Sequence, residues 1–325
     1  MKRILFVLLI GFIVTPTIFT VLAQTDTIKR YTGKNVEWRQ HDKVDYQGGT
    51  KGYSSFLNVS ADADGKIYVS NAGVTYNVLV FDAKTGKKLS TIADSTGTIQ
   101  KIFDAVPAAD GNIWVADYKS MVYLLDSSGK ILLKVPFKLS PGMADRQPSN
   151  IAIGPDGNLY VLYYVGSALL MQVFTPKGEF VRTIVSGTGN LGGIEDFAFG
   201  PDGSLFVGNA VGIARVIEDG TTPTLKPFAE DFMKEFDGGA IAGLAVDSDG
   251  NIYFNTEVKG LVKLDAEGKL IGQYGKGQKK IDWGNDFGAD ELSFTVRLAF
   301  APDGALIISD TNNWYSQLIK INMQG

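Results

Sequence analysis

The chain of 325 residues contains no cysteine and only one histidine, His41. The missing thiols exclude disulfide bonds, thiolate metal centres, cysteine nucleophiles, iron–sulfur clusters and a lipid anchor on cysteine. A single histidine also excludes a multi-histidine metal site within one chain. The chemistry available to the protein therefore rests on carboxylates, amides, hydroxyls, lysines, arginines and aromatic rings.

The chain also lacks an excess of positive charge. Lysine and arginine number 31 against 35 aspartates and glutamates, which gives a net charge of −4. A field of that sign repels a phosphate backbone, so we predict no nucleic-acid partner.

Only one long apolar run is present, and it lies at the N-terminus. Met1-Lys2-Arg3 precedes apolar residues that continue to Ala23, just before Gln24. This order is typical of a secretory signal peptide over residues 1–23, which places the mature protein in a secreted, periplasmic or other extracytoplasmic location. A retained membrane anchor is the alternative, because about twenty apolar residues can span a bilayer. Pro16 and the small residue at the exit favour cleavage, after which we expect no stable membrane anchor.

Six copies of one pattern fill the rest of the chain. Each copy has an apolar alternating run, an Asp-Gly turn and a second alternating run, with the turn aspartate at Asp64, Asp110, Asp156, Asp202, Asp249 and Asp303. The intervals between these aspartates are 46, 46, 46, 47 and 54 residues. Asp-Gly between alternating runs predicts a β-hairpin, and a second turn in most copies completes four short antiparallel strands, A to D. Because one such sheet cannot bury both of its faces alone, we predict an all-β, six-bladed β-propeller over residues 49–325.

The last copy ends after three strands, so its fourth strand must come from elsewhere. The segment over residues 35–40, within an N-terminal stretch of residues 24–48, is the spare strand. We predict that it completes the last blade and closes the ring, and that the protein is a monomer.

The copies resemble NHL repeats, most clearly in residues 243–253 (GLAVDSDGNIY) and in Pro302-Asp303-Gly304. Propellers of this kind include enzymes, receptors and adaptor proteins. The resemblance to the SMP-30 and gluconolactonase-like propellers implies a divalent cation in the channel mouth, held by acidic and amide side chains just before strands A. At the corresponding positions here, only Glu195 is a good metal ligand.

One residue later in each copy, six residues before the turn aspartate, five of the six copies have a polar residue. We call these six positions the ring. Its members are Asn58, Asp104, Asn150, Asp196, Gly243 and Arg297. Because strand A is innermost in a propeller, we expect these side chains at one mouth of the channel. The oxygens of Asp104, Asp196, Asn58 and Asn150, with Glu195, suit a hard cation such as Ca²⁺. Alternatively, Arg297 pairs with Asp104 or Asp196, and the remaining groups hold ordered water.

Aromatic residues are expected on the same face. Tyr163 and Tyr164 end strand B of the third copy, and Trp314 lies in the equivalent loop of the sixth. Such rings bind sugars, aromatic ligands or peptides, or else they cover the blade edges.

Two functions follow from these features. The favoured interpretation is a secreted binding module for a protein, peptide or glycan, because no known catalytic constellation is recognised. The alternative is a metal-dependent hydrolase or lyase that acts on a lactone or ester in the channel mouth. There Asp104, Asp196 or Glu195 would act as ligand or base, and Arg297 would hold negative charge.

Overall fold

A computed structural model describes most of the predicted propeller and part of the N-terminal segment. The described ranges are 28–43, 56–72, 76–117, 121–136, 148–164, 169–185, 194–209, 212–218, 223–235, 241–256, 259–277, 291–292, 295–311 and 315–323. The predicted signal peptide lies outside these residues, and both it and the predicted domain boundaries stay predictions.

The strands follow one another in groups of four. The N-terminal segment supplies β1 (Lys29–Tyr31) and β2 (Val36–Lys43), separated by a 3₁₀ turn at Gly33–Asn35. Blade one contains β3 (Phe56–Ala61), β4 (Lys66–Ala72), β5 (Tyr76–Asp82) and β6 (Lys88–Ile92). Blade two contains β7 (Ile102–Pro107), β8 (Ile113–Asp117), β9 (Met121–Leu125) and β10 (Ile131–Pro136). Blade three contains β11 (Pro148–Ile153), β12 (Leu159–Tyr164), β13 (Leu169–Phe174) and β14 (Phe180–Val185).

The second half repeats this arrangement. Blade four contains β15 (Ile194–Phe199), β16 (Leu205–Asn209), β17 (Gly212–Ile217) and β18 (Thr224–Phe228), followed by a short helix α1 (Glu230–Glu235). Blade five contains β19 (Ile241–Val246), β20 (Ile252–Thr256), β21 (Gly260–Leu264) and β22 (Leu270–Tyr274). A two-residue parallel pair, β23 (Lys276–Gly277) and β24 (Glu291–Leu292), precedes blade six. Blade six contains β25 (Thr295–Phe300), β26 (Leu306–Thr311) and β27 (Tyr315–Ile321).

The predicted six-bladed propeller is confirmed. The four strands of each blade pair antiparallel in the order A to D. Among the described residues, six buried hydrophobic clusters lie between successive blades. One of them joins Ile307 and Leu318 of blade six to Val59 and Ile67 of blade one. Each blade therefore buries both faces against its neighbours, and the ring is continuous.

The predicted closing strand is also confirmed. β2 pairs antiparallel with β27, so Arg39 lies opposite Ile319 in the outermost position of blade six. Trp38 on this strand donates from Nε1 to the carbonyl of Ala83 in blade one, at 2.9 Å. The closing strand thus contacts the first blade as well as the last.

Two elements depart from the sequence-based expectation. β1 adds a fifth, parallel strand to the outer edge of blade five, with Tyr31 opposite Tyr274. α1 shows that the repeats are not free of helix, although the pattern predicted strands alone. Among the described residues, no helix is both long and apolar enough to cross a membrane.

Candidate functional site: the mouth of the central channel

The innermost strands of all six blades surround a central cavity of about 230 Å³. At one end the cavity is lined by ring residues of blades one to four, which are Asn58, Asp104, Asn150 and Asp196. Along the same strands toward the Asp-Gly turns, the walls carry small or apolar side chains, and all of them but Ala245 are more exposed than the ring residues: Ser60, Val106, Ala152, Ala198, Ala245 and Ala299. The cavity therefore has a polar, buried end at the ring and a largely apolar remainder.

Asp104 joins blade two to blade three. Its Oδ1 accepts the N–H of Ala105 at 2.7 Å, and its Oδ2 accepts the N–H of Ile151 at 2.7 Å. Asp104 is 2 % exposed. A single buried side chain thus holds backbone donors of two neighbouring innermost strands.

Asp196 makes the same bridge two blades farther round the ring. Its Oδ1 accepts the N–H of Phe197 and its Oδ2 accepts the N–H of Leu244 in blade five, each at 2.8 Å. The Nδ2 of Asn150 also donates to Asp196 Oδ1. The head groups of Asn150 and Asp196, from blades three and four, therefore meet directly.

These bridges follow from the position of strand A in the fold. Strand A is the inner edge of each sheet, so N–H groups on its channel side have no partner strand. A buried N–H without an acceptor costs about 1–3 kcal/mol, which favours an oxygen-bearing side chain at the start of the strand. The ring residues supply these oxygens.

A local irregularity accompanies the ring residues. The A–B pairing shifts register near the start of strand A in blades one to five, as between Ile102 and Asp104. In such a bulge, two residues of one strand lie opposite a single residue of the paired strand, which redirects a side chain. In blade six the pairing runs without a shift, and Arg297 lies opposite Ser309.

In blade one, the hydroxyl group of Ser70 accepts the N–H of the ring residue. Asn58 Oδ1 accepts the N–H of Val59 at 3.0 Å, while the N–H of Asn58 donates to Ser70 Oγ at 2.8 Å. Ser70 Oγ in turn donates to the carbonyl of Phe103 in blade two, at 2.9 Å. Asn58 is thereby fixed at the channel wall by contacts within and between blades.

The electrostatics single out Asp104. Burial raises the pKa of Asp104 well above its usual value of 3.8, and the neighbouring charge of Asp196 acts in the same direction. Hydrogen bonds from Ile151 and Ala105 and the positive charge of Arg297 oppose this effect. The two carboxyl groups and the guanidinium therefore influence one another across the mouth.

Blades five and six complete the ring differently. Gly243 of blade five has no side chain and adopts a left-handed conformation, with φ of 67°. Arg297 of blade six is half-buried, and neither it nor Gly243 is among the residues that line the cavity. The ring is thus acidic and amidic over blades one to four, lacks a side chain at blade five and has a basic residue at blade six.

Three other predicted site residues have side chains outside the described part of the structure. Glu195 lies on β15, but its side chain and that of Tyr164, the last residue of β12, are outside the described side chains. Trp314 lies outside the described residues. Their proposed roles stay predictions.

Tyr163 corrects one expectation, namely that it offers aromatic surface near the mouth. It is buried in the cluster between blades two and three, together with Trp114 and Val161. Its burial raises the pKa of its phenol. The alternation along β12 turns Tyr163 toward the neighbouring blade and not toward solvent.

The sequence pattern does not reveal the backbone donors of the ring. The positions of the two carboxylates are determined by four backbone N–H groups, those of Ala105, Ile151, Phe197 and Leu244. The side chains of these four residues are ordinary apolar core side chains. Their constant place, one residue after the ring position, is the only signal in the sequence.

Comparisons with known proteins bear on the fold. Neither a scan against known protein families nor a search of curated proteins finds a match. Among solved structures, a luciferin-regenerating enzyme has a TM-score of 0.61 at 11% identity, covering 88% of this chain and 96% of its own. A gluconolactonase from Xanthomonas campestris has a TM-score of 0.58 at 13% identity, covering 88% and 96%.

A third neighbour is described as a calcium-binding protein, a regucalcin from Agrobacterium tumefaciens. Its TM-score is 0.59 at 14% identity, and the match covers 92% of this chain and 97% of the regucalcin. At such identities the likeness establishes the architecture and leaves activity undetermined. This chain therefore shares the six-bladed propeller fold of these three proteins.

Proposed function

We propose that this chain is a divalent-cation-dependent hydrolase or lyase that acts on a lactone or similar small ester at the channel mouth. The observation that carries the proposal is the buried ring, in which four oxygen-bearing side chains from successive blades line one end of the cavity. The shared fold of a gluconolactonase and a calcium-binding regucalcin supports it.

The donor set fits a hard cation. A carboxylate offers about four lone-pair sites, and the contacts of Asp104 use two of them. The amides of Asn58 and Asn150 add neutral oxygens, so every donor is of the type that Ca²⁺ prefers. The described residues contain no group of three or more acidic or histidine side chains suited to a metal, so amides must complete the set. Asp196 would hold the ion through the acceptor site that its three N–H contacts leave, and Asn150 through its amide oxygen, while Glu195 stays a predicted further ligand.

Each remaining group has a part in the proposed reaction. A cation at Asp196 and Asn150 would polarise the carbonyl of the substrate. Asp104 would be the proton acceptor for the attacking water, because it retains acceptor sites and burial raises its pKa above the usual value of a carboxyl group. The small side chains below the ring leave room for the body of the substrate.

Hydrolysis assays test this proposal. The purified protein is incubated with γ-butyrolactone and small aryl esters, with Ca²⁺, Mg²⁺, Mn²⁺ or Zn²⁺ in turn and with EDTA. We expect turnover with at least one ion, and a loss of roughly a hundredfold or more in Asp104→Asn and Asp196→Asn. Asp202→Asn, in an exposed turn, is the control that should keep full activity. Absence of turnover with every ion, or equal activity in all variants, would overturn the proposal.

The second candidate is a binding module for a protein, peptide or glycan, and a specific observation favours it. The oxygens of Asp104 and Asp196 already hold backbone N–H groups of neighbouring blades, which is a sufficient structural reason for their presence. If the ring serves the fold alone, the ring variants lose stability while no substrate is turned over. Pull-down experiments and glycan arrays would then identify the partner.

A further inference from the structure

A second cavity lies between blades four and five, beside their Asp-Gly turns, and we call it the lateral cleft. Its volume is about 260 Å³. The apolar part of its lining comes from both blades and comprises Pro201, Phe206, Phe228, Val246 and Ala266. Its charged lining residues are Arg215 and Asp202 of blade four and Asp249 of blade five. The ring residues lie at the other end of strand A and do not line this cleft.

Arg215 belongs to a set of basic residues at one position of strand C. Lys263 and Lys320 hold this position in blades five and six, each opposite the third residue after the turn glycine. Each cation pairs with an aspartate in the A–B turn of its own blade: Arg215 with Asp202 at 3.0 Å, Lys263 with Asp247 at 3.9 Å and Lys320 with Asp303. Blades one to three have apolar residues there, namely Val80, Leu124 and Val173. The second half of the propeller therefore repeats one ion pair.

In blades five and six, a segment remote in sequence adds a further oxygen acceptor. Lys263 Nζ donates to the backbone carbonyl of Met323, which follows β27, at 3.4 Å. Lys320 Nζ pairs with Glu37 of the closing strand β2 at 2.8 Å. The two lysines are only 8% and 2% exposed. The cation at this position is therefore bound by an oxygen from outside its own repeat.

Arg215 differs because no such segment covers it within the described part of the chain. Its side chain is 45% exposed. Nη2 donates to Asp202 Oδ2 at 3.0 Å and to Ser204 Oγ, and Cζ lies 6.0 Å from the centroid of the Phe206 ring. Two of the five N–H donors of the guanidinium are thereby used, and those on Nε and Nη1 have no acceptor among the described residues. Lining residues of the cleft thus hold the guanidinium in place and leave donors for a ligand.

Asp249 brings the opposite charge from blade five. Its backbone N–H donates to Asp247 Oδ1 at 3.0 Å, but its carboxylate makes no hydrogen bond or ion pair with any other described residue. Lys263 acts on Asp249 electrostatically, although that ammonium group is paired with Asp247. The cleft therefore offers one cation and one carboxylate with unused bonding capacity, together with the edge-to-face rings of Phe206 and Phe228, whose centroids are 5.5 Å apart.

We propose that the lateral cleft binds a free α-amino acid with an aromatic or other apolar side chain. The carboxylate of the ligand pairs with Arg215 as the carboxylate of Glu37 pairs with Lys320, and a planar guanidinium matches two carboxylate oxygens. The ammonium group pairs with Asp249, and the side chain packs against the two rings. Because Asp202 already compensates Arg215, a ligand with one charge of each sign adds no net charge to the cleft. A simple carboxylic acid would instead place a third negative charge among two aspartates.

Isothermal titration calorimetry of the purified protein tests this site with probes that share one phenyl ring. L-phenylalanine carries both charged groups, hydrocinnamate lacks the ammonium group and phenethylamine lacks the carboxylate. We expect L-phenylalanine to bind more tightly than either of the others. Arg215→Gln should weaken the binding of L-phenylalanine and hydrocinnamate by roughly ten- to a hundredfold, the range expected for a hydrogen-bonded charge, and should leave that of phenethylamine unchanged.

Further variants separate the two ends of the ligand. Asp249→Asn should weaken the binding of L-phenylalanine and phenethylamine but not that of hydrocinnamate. Arg215→Lys, which retains the charge without the planar fork, should lose less affinity than Arg215→Gln and replaces it if the glutamine variant does not fold. Arg182→Gln is the control for the arginine, because Arg182 is 46% exposed and paired with Glu218 at 2.6 Å but does not line the cleft. Asp64→Asn, at the equivalent turn of blade one, is the control for Asp249.

Each outcome decides for or against the site. Tighter binding of L-phenylalanine than of both other probes, weakened in Arg215→Gln and Asp249→Asn and kept in the two controls, would support it. Equal affinity of the wild type and Arg215→Gln for L-phenylalanine would overturn it, and so would the absence of binding of every probe. If hydrocinnamate binds as tightly as L-phenylalanine, the assignment to amino acids is wrong. None of these outcomes depends on hydrolysis of a lactone, so the lateral cleft and the proposed function at the channel mouth are tested separately.

Discussion

Oδ2 of Asp104 accepts the backbone N–H of Ile151 across the boundary between blades two and three, at 2.7 Å. The other oxygen of Asp104 accepts the N–H of Ala105 in its own blade. Asp196 repeats this arrangement between blades four and five. The same side chains that we propose for chemistry therefore also hold the inner edges of the blades together.

Removing the bridge should destabilise the propeller. Asp104→Ala leaves two buried N–H groups without acceptors, so we expect the free energy of unfolding to fall by about 2–4 kcal/mol. Urea unfolding followed by circular dichroism measures this loss. Asp64→Ala, at an exposed turn, should change it by less than about 0.5 kcal/mol. Equal effects of the two substitutions would show that the bridge contributes nothing.

The burial of Asp104 also predicts a pH dependence. Burial raises the pKa of Asp104 in the folded chain above its usual value of 3.8. The folded state then holds the proton more tightly than the unfolded state, so the contribution of Asp104 is complete below that value and is lost as the pH rises through the raised pKa. We expect the stability of the wild type relative to Asp104→Asn to decrease from about pH 4 toward neutrality. A difference that stays constant over this range, or increases, would contradict the assignment.

The closing strand gives a test of ring closure. Gly86 has φ of 69°, and an added Cβ would lie 2.7 Å from the ring of Trp38. Gly111 has φ of 81° in an equivalent conformation, but nothing lies within 4 Å of an added Cβ. Both alanine substitutions should lose about 1–2 kcal/mol for the left-handed backbone, and Gly86→Ala about 1–3 kcal/mol more for the clash.

Thermal and urea unfolding of the two glycine variants measure this difference directly. In the background of Trp38→Ala the excess cost of Gly86→Ala should disappear, because the ring that causes the clash is gone. If both alanine variants are equally stable with Trp38 present, the strand β2 does not pack on blade one in solution.

The architecture could be predicted because the repeat encodes it locally. Asp-Gly turns at nearly constant intervals determine the hairpins, and a missing fourth strand in the last copy identifies β2 as the closing strand. Because each sheet must bury both of its faces, the six sheets are then expected to pack radially as blades. Each of these steps depends on neighbours in sequence or on counting strands.

The site could be predicted only in part. The interval of six residues before each turn places Asp104 and Asp196 at one level of the channel, and both line it. Their bridges to Ile151 and Leu244 depend on the bulged start of strand A and on the packing of the next blade, which no local pattern reveals. The burial of Tyr163 and the parallel strand β1 on blade five likewise follow from contacts between distant segments.

The central claim, that the oxygens of the ring hold a divalent cation, is tested most directly by thermal unfolding with and without the ion. The protein is stripped with EDTA, and Ca²⁺, Mg²⁺, Mn²⁺ or Zn²⁺ is then added to the wild type, to Asp196→Asn and to Asp202→Asn. At a hundredfold excess over Kd, an ion that binds only the folded state adds about 2.7 kcal/mol of stability. We predict this increase in the wild type and in Asp202→Asn, and its loss in Asp196→Asn. No increase with any ion, or the same increase in all three proteins, would contradict a cation site in the channel mouth.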